Sequence, residues 1–369
     1  MTDQMPLDQL AEALDRTFAD GTRRAVLLLG AGLHRYLAGR RGKDAPAKVG
    51  ALSDWNALLA AAATREDGVR EFEASPHKDP TSTWESMVVA RVAVDLSRSA
   101  SDHEAVLKRR VKALIEGATP DAAVDPATQE LGRQLAARGF RDLVTLNFDA
   151  TLDAALADAT RKPRKIVLGA SGAAPGTPAN GERASGKRTG DLAEYRSRFH
   201  VHVGPTRIWH PHGAARRAQA DSIQLGLVDY TKSSAAVADA VVRYRIARRA
   251  WRGLRHSVPP PEQWSAEEVA EWLTHARSLD APSPSWVDQA MSGDLIVLGC
   301  GLDRAEADLW LLLHERQRQF ARAPEGTRPR TFYLHADQGF PEHLGSGPAG
   351  VIPVRLPDHG EAWKLVLGG

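Results

Sequence analysis

The stretch 141-RDLVTLNFDATLDAAL-156 places polar residues where an apolar run meets a helical pattern. The run at 143–146 predicts a short buried strand, and the apolar spacing from Thr151 onward predicts a helix. Asn147 and Asp149 lie between the two. Asp149 is a good helix N-cap residue, because its carboxylate accepts backbone N–H groups of the first turn. Ligands of open α/β sheets also bind beyond the carboxyl ends of strands, so the same residues are candidates for a binding site.

Other strand-to-helix transitions along the chain predict a doubly wound α/β fold. The clearest strand is RAVLLLG from Arg24, because a run that is apolar on both faces suits a buried parallel strand. Further short apolar runs predict strands at 165–168, 199–204, 207–210, 294–299, 330–337 and 350–357. Strands that alternate with helices indicate a Rossmann-like, doubly wound parallel sheet.

Two mainly helical stretches interrupt this pattern, and we interpret them as insertions into one domain. The predicted domain is 1–369, with a Rossmann-like core at 1–54, 141–232 and 292–369 and helical insertions at 55–140 and 233–291. The segment 169–190 is rich in Gly, Ala, Pro and Ser, so it is predicted to be a long flexible loop that could act as a flap.

Composition limits the classes of function. The chain has 48 basic and 46 acidic residues, a net charge of +2, so composition does not call for direct nucleic-acid binding. Its apolar runs are far shorter than a bilayer span and its start lacks signal-peptide features, which predicts a soluble cytoplasmic protein without membrane contact. The one cysteine, Cys300, can form neither an intrachain disulfide nor a cysteine-cage zinc site. We expect an inert thiol at a strand end.

Two glycine turns, at 30–32 and 299–301, directly follow predicted core strands. Glycines at such a position let a phosphate approach the backbone, and a helix start supplies free N–H groups. Arg35 stands where the dinucleotide fingerprint has its third glycine, so a purely structural turn is the alternative. After the second turn, Asp303 or Asp308 could cap a helix or accept hydrogen bonds from a ribose. Together the turns suggest a nucleotide lying across the strand ends.

The segment 207-RIWHPHGAA-215 supplies two candidate general bases, His210 and His212. An imidazole titrates near neutral pH, which suits a base beside a flexible backbone, but a loop histidine without catalytic role is the alternative. A metal site is a second alternative, because His-x-His in a strand puts both rings on one face. It would use His200, His202, His210 and His212, although no carboxylate stands at a matching spacing.

Taken in order, these motifs resemble the sirtuin-like family, and more closely its bacterial NAD-hydrolase branch than its protein deacylases. LGAG at 29–32 is similar to the family's first glycine turn. TLNFD at 145–149 is similar to its threonine-x-asparagine-tyrosine-aspartate motif, and HPHG at 210–213 to its histidine-glycine element. The later segments LGLVDY, VLGCGLDRAEADL and TFYLHAD also resemble family segments; they lie at 225–230, 297–309 and 331–337.

The chain departs from the family at three points. Phe148 replaces the usual tyrosine of the TLNFD motif. Leu33 and His34 follow the first glycine turn, where the family often has a serine. A chain with one cysteine also cannot build the four-cysteine zinc module of deacylating sirtuins, so a peptide-binding cleft of that shape is not expected.

The resemblance implies an NAD glycohydrolase that splits NAD into nicotinamide and ADP-ribose without a metal. It implies catalytic roles for Asn147, His212 and Asp149. It also implies NAD contacts from Gly30, Ala31, Gly32, Thr145, Gly213, Gly299, Gly301 and Asp303. Bacterial members commonly deplete NAD during phage infection, which implies control by homo-oligomerisation or by a partner defence protein. A catalytically silent module that binds NAD or ADP-ribose is the alternative, and protein ADP-ribosylation or deacylation is a third possibility.

The candidate residues suit this chemistry. Cleavage of the nicotinamide–ribose bond builds positive charge on the ribose carbon, as in glycoside hydrolysis, and nicotinamide leaves as a neutral molecule. Asn147 can hold the water or the ribose, and His212 can accept a proton from either. Asp149 can stabilise the developing charge or cap the helix.

Overall fold

The described part of the chain forms an eight-stranded sheet covered by helices on both faces. The structure is a computed structural model. It describes residues 11–12, 15, 25–41, 58, 61–62, 100–119, 125–160, 164–167, 197–215, 223–225, 227–251, 264–278, 285–302, 306–324, 327–336 and 350–368. The predicted loop at 169–190 and Asp303 lie outside these residues.

The strands follow the predicted apolar runs closely. They are β1 (Ala25–Leu29), β2 (Asp142–Thr145), β3 (Arg164–Val167), β4 (His200–Val203), β5 (Thr206–Trp209), β6 (Asp294–Leu298), β7 (Thr331–Ala336) and β8 (Val351–Leu356). Their order in the sheet is β3-β4-β5-β2-β1-β6-β7-β8. From β5 to β8 all neighbours are parallel, which confirms the predicted Rossmann-like α/β fold.

One edge of the sheet differs from a purely parallel arrangement. Strand β4 pairs antiparallel with both β3 and β5. The connection from β4 to β5 is only Gly204 and Pro205, with Gly204 at a φ of 60°. Two residues cannot form the long crossover that parallel neighbours need, so the two strands must form a hairpin.

The helices among the described residues match most of the helical patterns. They are α1 (Gly32–Arg41), α2 (Ala100–Ala118), α3 (Pro126–Arg138), α4 (Thr151–Thr160), α5 (Leu227–Trp251), α6 (Ala266–Ser278), α7 (Trp286–Ser292), α8 (Ala307–Phe320) and α9 (His359–Leu367). No helix in these described ranges combines the length and the apolar character required to span a membrane.

The alternation of side chains along the central strands builds two hydrophobic layers. Leu27 and Leu29 of β1 enter a cluster that includes buried residues of α1, α3, α4 and α9. Val26 and Leu28 point to the opposite face and enter a cluster with α5, α6, α7 and α8. Helix α3 lies within the predicted insertion at 55–140, yet its Leu131 belongs to the first of these central layers.

Buried acidic residues anchor the amino ends of the central strands. Asp142, the first residue of β2, accepts hydrogen bonds from Arg207 Nε at 2.7 Å and Trp209 Nε1 at 2.9 Å. Asp294, the first residue of β6, accepts from the backbone N–H of Arg330 at 2.8 Å and also from its guanidinium. These charges are therefore satisfied within the fold, and the candidate site residues lie at the opposite ends of the strands.

Candidate functional site

A cavity that is open to solvent, with about 760 Å³ of empty space, lies beyond the carboxyl ends of β1, β2 and β6. This is the position where α/β sheets bind ligands. The lining residues come from the two glycine turns, the segment after β2, the segment after β5 and nearby helices. They are Gly30, Ala31, Leu58, Ile115, Leu146, Asn147, Phe148, Asp149, His212, Tyr230, Gly299, Cys300, Gly301 and Glu306.

The two glycine turns pack directly against each other at the floor of the site. Gly32 N donates a hydrogen bond to Gly299 O at 2.9 Å, and a Cβ on Gly32 would lie 2.4 Å from Gly299 Cα. Gly299 also has a φ of 65°, which favours glycine. Gly301 differs, because a Cβ there would meet no atom within 4 Å. The close contact between the turns therefore explains why glycine is needed at positions 32 and 299. At Gly301 there is no such contact, and the space beside the cavity is open.

Asn147 ties the end of β2 to the first glycine turn. Its Nδ2 donates a hydrogen bond to Gly30 O at 3.0 Å, and its backbone N–H donates to Thr145 Oγ1 at 3.1 Å. Asn147 lines the cavity, whereas Thr145 is buried and is absent from the lining. Thr145 therefore supports the site indirectly, because its hydroxyl holds the backbone N–H of Asn147.

Asp149 accepts a hydrogen bond from the start of a helix and also contacts a buried histidine. Its Oδ1 accepts the backbone N–H of Thr151 at 2.8 Å at the start of α4, and its Oδ2 lies 2.7 Å from Nε2 of His34 in α1. Burial alone would raise the pKa of Asp149, but the His34 imidazole and the Thr151 hydrogen bonds hold that pKa well below its usual range. The carboxylate is therefore ionised at the wall of the cavity.

His212 lines the cavity and is held by a carboxylate from α8. Its Nε2 lies 3.1 Å from Oδ2 of Asp308, which is fully buried. Ser233 Oγ donates to the same oxygen at 2.8 Å, and Leu309 N donates to Oδ1 at 2.9 Å. Burial would raise the pKa of Asp308, yet His212 and these hydrogen bonds lower it below its ordinary value. The Tyr230 ring lies 5.3 Å from the His212 ring, centroid to centroid.

His210 lies in a different environment, although it is only two residues away. Its Nε2 is 3.3 Å from Oδ1 of Asp153 in α4, and both side chains are completely buried. His210 is absent from the cavity lining. Gly213, whose φ is 87° and whose N–H donates to His210 O at 3.0 Å, closes the turn that separates the two imidazoles.

The four histidines considered as a metal site do not form one group. His200 and His202 approach with Nε2 atoms 3.1 Å apart on β4, but His210 and His212 pair with separate aspartates. Within the described ranges, no three or more His, Cys, Asp or Glu residues are grouped so as to hold a metal ion. Burial lowers the pKa of His200 to about 4, so its ring is neutral near pH 7.

Glu306, Cys300 and Tyr230 complete the polar lining. The Cys300 thiol donates to Glu306 Oε2 at 3.5 Å. Burial, and next the Glu306 carboxylate, raise the pKa of this thiol well above its usual value. Burial and the Glu306 and Asp308 carboxylates likewise raise the pKa of Tyr230. Both groups therefore stay protonated at neutral pH, as the expectation of an unreactive thiol requires.

Helix α2, from the predicted insertion at 55–140, packs beside the cavity. Its Ile115 lines the cavity and belongs to a small hydrophobic cluster that also contains Phe148 and Tyr230. Lys108 Nζ of the same helix lies 2.5 Å from Oδ2 of the buried Asp229, one residue before Tyr230. The insertion therefore contributes part of the site wall.

The sequence motifs and the observed cavity overlap in part. Among the predicted site residues, Gly32, Thr145 and Gly213 support the cavity without lining it. The partnership of His34 with Asp149, that of Asp308 with His212, and the lining role of Glu306 were not foreseen. Asp308 could have been recognised from the sequence ADLWLLL, in which it is the one acidic residue among apolar ones. A charge in an apolar, buried stretch needs a partner.

Comparison with known proteins adds no relative to this description. No family model matches the chain, and a search of curated proteins returns no significant match. A proposal of function therefore depends on the geometry of the cavity and on the motifs that surround it.

Proposed function

We propose that this protein is an NAD glycohydrolase that cleaves the nicotinamide–ribose bond of NAD. The observation that carries the proposal is the convergence of Asn147, Asp149 and His212 on one cavity beside two glycine turns. These segments are distant in sequence, and the motifs that resemble the sirtuin-like NAD hydrolases contribute to the same cavity wall.

The chemistry follows from the charges of these groups. As the C1′–N bond breaks, its electron pair passes to the pyridinium nitrogen, and nicotinamide leaves as a neutral molecule. Asp149, ionised at the cavity wall, stabilises the positive charge on the ribose. Water adds to C1′ and His212 accepts its proton, which yields ADP-ribose. Asn147 orients the water or the ribose. No metal is required for any of these steps.

The contacts of Asp149 favour an electrostatic role over attack on the sugar. One of its oxygens accepts the Thr151 N–H and the other contacts His34. A carboxylate that formed a bond to the sugar would lose the negative charge that strengthens both of these contacts. Direct hydrolysis by water is therefore the simpler path.

The test is to incubate purified protein with NAD and to measure nicotinamide and ADP-ribose. We expect the wild type to release both in equal amounts and His212→Ala to lose about 10²- to 10⁴-fold in rate, the usual contribution of a general base. His210→Gln is the matched control, because His210 lies outside the cavity lining and a glutamine amide can still donate a hydrogen bond to Asp153. It should retain turnover per folded molecule. A variant pair with the reverse order of activities would contradict the roles proposed here.

One observation favours a catalytically silent NAD- or ADP-ribose-binding module as the second candidate. The amide of Asn147 and both carboxylate oxygens of Asp149 already hold internal hydrogen bonds. Calorimetry that detects NAD binding, together with no nicotinamide release, would select this candidate.

The resemblance extends the proposal to an effector of bacterial antiphage defence in the cytoplasm. Unrestrained loss of NAD is toxic, so we propose that assembly into a homo-oligomer or a partner defence protein controls the enzyme. Turnover measured against protein concentration, with and without the product of a neighbouring gene, checks this part. Full turnover by a monomer at every concentration would exclude it.

A further inference from the structure

We propose that Asp308 is the positioning residue for His212, and that Ser233 holds Asp308 in place so that Nδ1 of His212 is the basic nitrogen. The inference rests on the proposed function, since it concerns the same histidine. The three side chains come from different parts of the fold. His212 follows β5, Ser233 lies in α5, and Asp308 lies in the first turn of α8.

The geometry fixes which nitrogen carries the hydrogen. An ionised carboxylate only accepts hydrogen bonds, so Nε2 of His212 must be the donor in its 3.1 Å contact with Asp308. A neutral imidazole has one N–H, and Nδ1 is then the nitrogen that accepts a proton. Asp308 is fully buried and fully partnered, which means that its orientation is set by the protein and not by solvent.

The buried charge also favours the imidazolium that forms during turnover. A carboxylate 3.1 Å from the ring stabilises the positive charge when His212 takes a proton. Loss of that charge should therefore make His212 a weaker base, and its midpoint in a pH–rate profile should move to lower pH. The other titratable groups that line the cavity are Asp149, Tyr230, Cys300 and Glu306.

The experiment compares three variants with the wild type. Asp308→Asn removes the charge and keeps the shape, and Ser233→Ala removes one hydrogen bond to Asp308. Asp239→Asn is the matched control, because Asp239 is an exposed residue of α5 that pairs with Arg243 on the surface. Measurements are kcat and KM for NAD from pH 5 to 9 and the thermal midpoint of each variant.

We expect Asp308→Asn to lower kcat by roughly 10²- to 10⁴-fold with little change in KM, because the loss is confined to the proton transfer. The acid-side midpoint of its pH–rate profile should move to lower pH. Ser233→Ala should lower kcat by roughly two- to tenfold, the worth of one hydrogen bond. A folded Asp308→Asn variant with wild-type kcat and an unchanged pH profile would overturn the proposal.

A second measurement keeps the test independent of activity. Nitrogen NMR of histidine-labelled protein reports which imidazole nitrogen carries the hydrogen, and His212→Gln identifies the signal. We expect the Nε2–H form of His212 in the wild type. In Asp308→Asn we expect this form to be lost or to be mixed with the Nδ1–H form. A wild type that releases no nicotinamide but shows the Nε2–H form would refute the glycohydrolase and keep the positioning role. An Nδ1–H form in the wild type would refute the positioning role.

Discussion

Asp149 makes two different contacts that together fix its carboxylate at the cavity wall. Its two oxygens face different partners, the Thr151 N–H of α4 and the His34 ring of α1. The helix cap holds the carboxylate at the strand end, and the His34 contact keeps it ionised within the protein interior. A capping residue and a charged site residue are therefore compatible at this position. The cap is what keeps the charge at the cavity wall.

Asn147→Ala is expected to abolish most turnover with a small loss of stability. The variant loses the 3.0 Å hydrogen bond to Gly30 O, worth about 1 kcal/mol, and water in the open cavity can replace it. We therefore expect a thermal midpoint only a few degrees below that of the wild type and a rate of nicotinamide release at least 100-fold lower, roughly the effect of losing a group that orients the water. Calorimetry and product analysis on the same sample test both parts. Unfolding, or full activity, would make Asn147 a structural residue.

Residue types and spacing predicted part of the set of side chains around the cavity, but not their partners. The motif at 145–149 identifies Asn147 and Asp149 from local pattern alone. His34 and Asp149 are 115 residues apart, and His212 and Asp308 are 96 apart. Such pairs depend on how helices pack across the sheet, which no local pattern encodes. For this reason His34 stood out only as a departure from the family pattern.

At the level of elements, apolar runs predicted the strands but not the direction of all of them. A run such as HVHV at 200–203 is equally compatible with a parallel or an antiparallel strand. The direction is set by the connection, and the two residues Gly204 and Pro205 permit only a hairpin. The predicted helical insertions show a similar limit. Periodicity predicted α2 and α3 as helices, but it carries no information about which one packs beside the cavity.

Gly299→Ala is expected to destabilise the protein, whereas Gly301→Ala should leave stability nearly unchanged. A Cβ on Gly299 would lie 2.7 Å from Gly32 Cα at a φ of 65°, while a Cβ on Gly301 meets no atom within 4 Å. Strain of this kind costs about 1–3 kcal/mol, and the backbone clash adds to it. Denaturant unfolding of both variants measures the difference. Equal stabilities would mean that the two turns do not need their close contact.

At the scale of the whole molecule, three buried histidine–aspartate pairs among the described residues join different elements around the site. His34 with Asp149 joins α1 to the segment that leads into α4, and His212 with Asp308 joins the segment after β5 to α8. The third pair, His210 with Asp153, fixes that same segment against α4. The segment that carries His212 is therefore held from both faces of the sheet, so the position of His212 depends on the integrity of the whole fold.

This arrangement predicts an acid-sensitive fold. The native pKa values of Asp149 and Asp308 are lowered, so each group adds stability that is present above its unfolded value of about 3.9. As the pH falls below about 4, these two carboxylates bind protons in the unfolded chain but stay ionised in the native protein. Unfolding is then favoured by about 1.4 kcal/mol per pH unit for each group until its native pKa is reached.

We therefore expect the thermal midpoint to fall steeply as the pH drops from about 4 to about 2, and to fall less steeply in Asp149→Asn. That variant is already destabilised at pH 7, because His34 loses its charged partner, and it has one fewer carboxylate to titrate. Asp239→Asn is the control, since Asp239 is exposed and should leave the slope unchanged. Scanning calorimetry of the three proteins across this pH range measures the slopes. Parallel loss of stability in Asp149→Asn and the wild type would contradict this prediction. In that case the charge of the buried Asp149–His34 contact does not stabilise the fold, and acid unfolding starts elsewhere in the protein.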